Sequence, residues 1–137
     1  MPAPAAPGPD DPHALGIAVT RLGGGSRKAG RVAFTVAAAA LEHGESVETA
    51  VQGALEGVTA AVVLTDRRLM LTDERPWAPT VRSYAIDDSL TVQGWQDGKS
   101  ATLTFVVGGS HAVVDRIGDI DAAIGLAQRL RTRTGTG

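Results

Sequence analysis

Residues 57–72 read GVTAAVVLTDRRLMLT and contain two apolar runs separated by a polar turn. The first run, 59–64, is rich in valine and alanine and carries no charge, which is typical of a strand buried on both faces. The second run, 68–72, places Leu69 and Leu71 on one face because strand side chains alternate with a period of two. This stretch therefore predicts a β-hairpin with one face toward a core.

Short β-branched runs separated by turn residues continue on both sides of the hairpin, a pattern typical of an antiparallel meander or a small barrel. The Asp97-Gly98 pair favours a two-residue hairpin turn, because both positions tolerate positive φ. We predict seven strands, at 46–55, 58–64, 68–72, 81–86, 89–96, 100–107 and 111–115.

A helix is predicted at 28–43, capped by Ser26 and ended by Gly44. Its middle is apolar all round except for Thr35, whereas a surface helix normally keeps a polar face. One side can pack on the sheet, and the other needs a second cover, either the segment 13–22 or another copy of the protein. The candidate self-association residues are Val32, Phe34, Val36 and Leu41.

A second helix is predicted from Asp119, as its cap, to about residue 133. An apolar stripe repeats every three or four residues along it, which indicates an amphipathic helix laid across the sheet. The stripe consists of Ile120, Ala123, Ile124, Ala127 and Leu130.

The length of 137 residues predicts a single domain. Five of the seven prolines lie in the first twelve residues and three glycines follow at 23–25, so we expect 1–25 to be a disordered or loosely attached tail. Within it, 13–22 fits either a helical turn or an edge strand. The single domain is then expected to cover 26–137.

The composition excludes several classes of function. Thirteen basic and fifteen acidic residues give a net charge of −2, whereas nucleic-acid-binding domains are usually strongly basic, so we expect no nucleic-acid partner. Without cysteine there is no disulfide, thiolate nucleophile or cysteine metal site. The N-terminus lacks the basic start and apolar core of a signal peptide, so we expect a cytoplasmic protein.

Two short motifs are L-x-x-G-E at 41–45 and L-T-x-x-R-L at 64–69, with Gly53 between them. With the seven strands and the final helix, they resemble the bacterial pleckstrin-homology-like (PH-like) domains over about 41–131. The resemblance implies an α+β fold, a seven-stranded antiparallel PH-like β-barrel or roll capped by a C-terminal helix. The helix at 28–43 is then an additional N-terminal element.

The resemblance also implies a non-enzymatic role in protein scaffolding, with homo-oligomers and occasional membrane association. Eukaryotic relatives in the same superfold bind phosphoinositides through a basic loop between the first two strands. The corresponding loop here, 55–57, carries Glu56 and no lysine or arginine, which argues against headgroup binding by that route.

We expect no catalytic, metal or cofactor site. His13, His43 and His111 are too far apart in sequence to be aimed at one metal ion by a helix or a hairpin. The Gly-rich segment 23–28, GGGSRK, lacks the Gly-Lys-Ser/Thr order of a phosphate-binding loop and fits a flexible linker better. No serine stands in a Gly-x-Ser-x-Gly elbow.

The loop 74–79, ERPWAP, holds a tryptophan between two prolines and has arginines on both sides. Tryptophan and arginine are enriched at binding hot spots, and a rigid loop loses little entropy on contact. The candidate interaction surface is Arg67, Arg68, Arg75, Trp77 and Arg82. In the competing interpretations Trp77 plugs one end of the barrel and the arginines are solvated or paired with nearby acids.

Trp95 has two interpretations. It shares a strand face with Thr91 and Gln93 and is exposed there, unless Gly94 forms a bulge and turns it into the core. An exposed Trp95 would extend a binding face.

Two functional hypotheses follow. In the first, a non-catalytic PH-like module acts as a protein-interaction scaffold, with itself or another protein as partner, and self-associates through the apolar N-terminal helix. In the alternative, the arginines bind an anionic membrane surface with Trp77 as an interfacial anchor. An enzyme would rest only on scattered aspartates and histidines.

Overall fold

The computed structural model describes residues 11–75 and 79–135, in which the β-branched runs form one antiparallel sheet in the order β4-β3-β2-β1-β7-β6-β5. All seven predicted strands are confirmed, each within two residues of its predicted ends. The strands are β1 Val47–Leu55, β2 Val58–Thr65, β3 Arg68–Asp73, β4 Val81–Ala85, β5 Leu90–Gln96, β6 Ala101–Val107 and β7 Ser110–Ile117.

The sheet does not close into a barrel. Strands β4 and β5 follow one another in the chain but lie at the two opposite edges of the sheet. The prediction of a closed barrel was therefore wrong, whereas the prediction of seven antiparallel strands in one sheet is right. With a C-terminal helix and helices near the N-terminus, the architecture is the predicted α+β arrangement of seven antiparallel strands.

One face of the sheet packs against the C-terminal helix α4, Ile120–Thr134. Leu71 and Phe105 meet Leu126 and Leu130 in this core, and all four are almost fully buried. The predicted apolar stripe is wrong at Ile124, which is 38 % exposed, while Leu126 takes its place in the core. Ile124 is consequently available at the surface.

Asp119 precedes α4 as predicted, but its carboxylate does not cap that helix. Its Oδ1 instead accepts a hydrogen bond from the backbone N–H of Gly23, at 3.0 Å. The aspartate thus ties the N-terminal segment to the start of α4.

Three short helices, α1 Leu15–Thr20, α2 Gly24–Ala29 and α3 Arg31–Ala40, cover the other face of the sheet. Leu15, Leu22 and Phe34 are buried there against β1–β3. The start of the fold was predicted at residue 26, whereas α1 lies before it and packs on β1. Among the described helices, none is long and apolar enough to cross a bilayer.

Gly30 divides the single helix predicted at 28–43 into α2 and α3. A Cβ at Gly30 would lie 2.7 Å from the Phe34 ring and 2.9 Å from Gln52, so the backbone comes close to both side chains. Ser26 lies inside α2 rather than at its cap. Gly44 does adopt a left-handed φ of 79°, but in the loop beyond the end of α3.

Strand β1 joins the two halves of the sheet, because it pairs with β2 along its length and with β7 at Ala54 and Leu55. Gly53 lies at this junction. A Cβ there would approach the carbonyl oxygen of Asp115 to 2.5 Å and the Val114 side chain to 2.8 Å. The junction therefore leaves no room for a side chain at this position.

Candidate interaction groove

Arg68, a candidate surface residue, is held inside the molecule. Its Nε donates to Glu45 Oε2 and its Nη2 to Glu45 Oε1, both at 2.9 Å, which is a bidentate arrangement. Nη2 also donates to the Ala40 carbonyl at 2.6 Å, and Nη1 to the Ser83 hydroxyl at 2.9 Å. Arg68 thus connects the end of α3, the following loop and β4.

Glu45 is completely buried and receives further hydrogen bonds from the Thr65 hydroxyl at 2.7 Å and from the Glu42 N–H at 3.0 Å. Burial alone would raise the pKa of Glu45, but the hydrogen bonds from Arg68 and Thr65 outweigh it and lower that pKa from 4.5 to about 2. We call Glu45, Thr65 and Arg68 the Glu45 clasp. The glutamate, threonine and arginine of the two sequence motifs are therefore in direct contact.

Arg75 and Arg82 are also engaged by carboxylates. Both pair with Glu56 in the β1–β2 turn, and Arg75 pairs in addition with Asp73 at 2.9 Å. Burial of Asp73 opposes ionisation, yet hydrogen bonds from the Thr80 side chain and backbone and from Arg75 lower its pKa. These two arginines hold the ends of β3 and β4 together.

The candidate arginines do not form one surface. Arg68 lies opposite Ala85 and Arg82 lies opposite Leu71 in the β3–β4 ladder. By strand alternation Arg68 points to the α1–α3 side, with Met70, and Arg82 to the α4 side. Arg67 is exposed in the β2–β3 turn. Trp77, the predicted anchor, lies outside the described residues.

The candidate self-association residues divide between the two sides of α3. Phe34 is buried against the sheet of its own chain, so it is not free for a second copy. Val32 is 52 % exposed, and Val36 and Leu41 are half-buried. One outward apolar strip of α3 therefore remains, and it is narrower than the sequence predicts.

No group of three or more histidine or acidic side chains could hold a metal ion in the part of the chain that the structure describes. His13 has a structural contact, since its Nδ1 lies 2.7 Å from the Glu45 carbonyl oxygen. His43 and His111 are far from it in sequence and both are exposed.

An apolar groove lies between α4 and the β5–β6 hairpin. The strands β5 and β6 pair without interruption through Gly94, so there is no bulge and Trp95 is 65 % exposed. Together with Ile124 it borders a groove of about 390 Å³, which we call the Trp95 groove. The residues that line it are Gly94, Trp95, Gln96, Ala101, Thr102, Leu103, Ala123, Ile124, Ala127, Gln128 and Arg131.

Small residues create this groove. Gly94 has no side chain above Leu103, and two of the residues that α4 contributes to the lining, Ala123 and Ala127, have small side chains. A Cβ at Gly94 would be 3.6 Å from Leu103, an ordinary contact, so the space is open rather than strained. The groove therefore has room for larger side chains that its own lining residues do not provide.

The groove runs beside a free strand edge. Among the described strands, β5 pairs with β6 alone and is the last strand of the sheet. Arg131 of α4 reaches this edge and donates to the Val92 carbonyl at 3.2 Å. Unpaired backbone groups, an aromatic side chain and an aliphatic floor are thus combined at one place, as in surfaces that bind extended peptides.

Sequence reasoning left Trp95 open and missed the groove. One signal was available: Gly94 interrupts an otherwise regular strand, and glycine in a strand often marks a close backbone approach or an open site. The alanines of α4 could not be matched to it before the register of β5 was known.

No protein-family model matches the chain, and no curated protein matches it. The chain is similar to the crystal structure of a pleckstrin homology domain from Shewanella amazonensis SB2B, with a TM-score of 0.48 and 16 % sequence identity. The similarity covers 76 % of this chain and 96 % of that one.

Proposed function

We propose that this protein is a non-catalytic PH-like interaction module that binds an extended segment of a partner protein in the Trp95 groove. PH-like domains in general are binding modules for proteins or lipids. The observation that carries the proposal is the exposed pair Trp95 and Ile124 beside the free edge of β5.

The groove favours an extended segment because the two ways of binding available there act together. The β5 edge can supply backbone hydrogen bonds to an added strand, which gives affinity with little dependence on sequence. The space between Gly94 and α4 can receive one apolar side chain of the partner, which gives selectivity. Trp95, at the border of the groove, can add apolar contact area.

Replacing Trp95 with alanine should weaken binding of a groove ligand by about 30-fold, the loss expected for a central tryptophan hot spot. The ligands would be peptides selected from a displayed random library on the wild-type protein, and the affinities would be measured by isothermal titration calorimetry. Ile124→Ser should weaken binding in the same direction.

Val113→Ala is the matched control, because Val113 is an exposed apolar residue of β7 outside the groove. Binding by that variant should be unchanged. Amide hydrogen exchange of the complex adds a structural test, since strand addition should slow exchange in β5 and leave the other edge strand, β4, unchanged. Protection of β4 with wild-type affinity in Trp95→Ala would rule out the groove.

Self-association through α3 is a second candidate, supported by the 52 % exposure of Val32 and by the absence of charged residues from 32–40. Val36→Glu should then lower the mass measured by light scattering on a size-exclusion column, because it places a charge in the interface. Val113→Glu adds the same charge to an exposed valine elsewhere and should leave the mass unchanged. Equal masses for wild type and Val36→Glu would exclude an α3 interface.

Anionic lipid binding through Arg67, Arg68, Arg75, Arg82 and Trp77 has weaker support. Three of these four arginines already hold carboxylates. A lipid phosphate would have to compete with those pairs, so we place protein binding first.

A further inference from the structure

The segment of the N-terminal helices carries a net positive charge, although the chain as a whole is acidic. Residues 12–41 contain four basic and no acidic residues, whereas the remainder has nine basic and fifteen acidic residues and a net charge of −6. The four basic residues are Arg21, Arg27, Lys28 and Arg31. One face of a weakly acidic protein is therefore basic.

Three of these cations line one groove at the junction of α2 and α3. Arg27, Lys28 and Arg31 are exposed around a space of about 480 Å³, and Val19 and Phe34 form part of its wall. Within residues 11–75 and 79–135, none of the three makes an ion pair or a side-chain hydrogen bond. We call this surface the basic groove.

Five other arginines behave differently. Arg68, Arg75, Arg82, Arg129 and Arg133 all pair with a glutamate or an aspartate of the same chain. The chain has enough acidic residues to neutralise the basic groove, but it places none of the described ones there. Other exposed cations, such as Arg67, Lys99 and Arg116, also lack an ion pair among the described residues, but the basic groove brings three such cations together around one space.

The three cations repel one another. Arg27 and Lys28 lie at the end of α2 and Arg31 at the start of α3, and all three line the same groove, so their like charges oppose one another. A ligand that brings negative charge relieves the repulsion and gains from all three cations at once. The free protein therefore favours an anionic ligand over a neutral one.

We propose that the basic groove binds an acidic segment of a partner protein that also carries an aliphatic side chain. The cations supply the charge complementarity, and the wall of Val19 and Phe34 supplies an apolar contact. A bilayer is less favoured, because the one large apolar side chain described as exposed beside the cations is Val32, and valine is a weak interfacial anchor.

This surface is independent of the Trp95 groove. The basic groove belongs to the helical layer on one face of β1–β3, and the Trp95 groove borders α4 on the other. Two partners, or two segments of one partner, can therefore be held at the same time. Failure of either proposal leaves the other standing.

The test uses a fluorescein-labelled peptide with the sequence Glu-Glu-Leu-Glu-Glu and measures its binding by fluorescence anisotropy. We expect binding that weakens between 50 and 300 mM NaCl, because screening shortens the range of the attraction. The triple variant Arg27→Gln/Lys28→Gln/Arg31→Gln should lose at least tenfold in affinity. Replacing the leucine of the peptide with serine should also reduce affinity, whereas a Gln-Gln-Leu-Gln-Gln peptide should not bind.

The matched control is Arg67→Gln/Lys99→Gln/Arg116→Gln, which removes three other exposed cations and changes the net charge equally. It should bind the acidic peptide within about twofold of wild type. An equal loss in both triple variants would mean that net charge alone attracts the peptide, and would overturn the proposal. So would absence of peptide binding together with sedimentation on vesicles of 30 % phosphatidylserine that depends on Arg27, Lys28 and Arg31. Circular dichroism would verify that both variants are folded.

Discussion

Replacing Arg68 with alanine should lower the free energy of unfolding by about 3 to 5 kcal/mol, the usual cost of removing one partner of a buried ion pair. The substitution leaves the Glu45 carboxylate buried without its bidentate donor and removes a hydrogen bond to the Ala40 carbonyl. The measurement is equilibrium unfolding in urea at pH 7, followed by circular dichroism.

Arg67→Ala is the matched control because Arg67 is the preceding arginine in the same turn and is exposed. Its effect should stay within about 0.5 kcal/mol, as for most surface substitutions. Similar losses in the two variants would show that the Glu45 clasp contributes no more than a surface residue, and our account of Arg68 would be wrong.

The pH dependence of the same pair provides a second readout. The pKa of Glu45 is lowered in the folded protein, from 4.5 to about 2, so its stabilising contribution is present above pH 4.5 and is lost as the pH falls toward 2. Other carboxylates with a lowered pKa, such as Asp73, add to the loss in wild type. The Glu45 part should be missing in Arg68→Ala, and parallel stability curves from pH 5 to pH 2 would contradict it.

Gly53→Ala should lower the free energy of unfolding by about 3 kcal/mol, at the upper end of the cost of inserting one methyl group into a packed interior. The added Cβ would lie 2.5 Å from the Asp115 carbonyl oxygen, and backbone cannot move aside as a flexible side chain can. Strands β1 and β7 would have to separate where they pair. Urea unfolding measures the loss.

Gly94→Ala tests the same chemical change in another strand, where the nearest atom, in Leu103, is 3.6 Å from the new Cβ. Alanine also removes backbone freedom from the unfolded chain, so this variant should equal or slightly exceed wild type in stability. If both glycine variants lost the same stability, the loss could not be assigned to the β1–β7 junction, and our account of Gly53 would be wrong.

The strands were predictable because their signal is local. The run at 59–64 predicted a strand buried on both faces, and Ala60 to Leu64 are indeed completely buried. The reason is that α4 covers one face of β2 and the N-terminal helices cover the other. An apolar sequence pattern predicts such burial whichever helices cover the two faces of the strand.

The contacts that position the candidate site residues join distant parts of the chain. For this reason they could not be predicted from the sequence. Arg68 is a surface residue by its charge and turn position, and its partner Glu45 lies 23 residues earlier in the chain. Both belong to the quoted motifs, but nothing in a motif says that its charged residues meet. The Trp95 groove is harder to predict from the sequence. It exists because Gly94 and the alanines of α4 do not fill the space, and only the packing of α4 on β5 brings these residues together.

The junction at β1 has a consequence for folding during synthesis. Strand β1 can pair with β2 as soon as that hairpin has emerged from the ribosome, but its other partner, β7, is made only after four more strands. Until then the edge of β1 near Ala54 and Leu55 remains unpaired and apolar, the kind of edge that pairs with other chains. A nascent chain that stalls after β4 would therefore present a hydrophobic strand edge to its neighbours, and chaperone protection matters most in that interval.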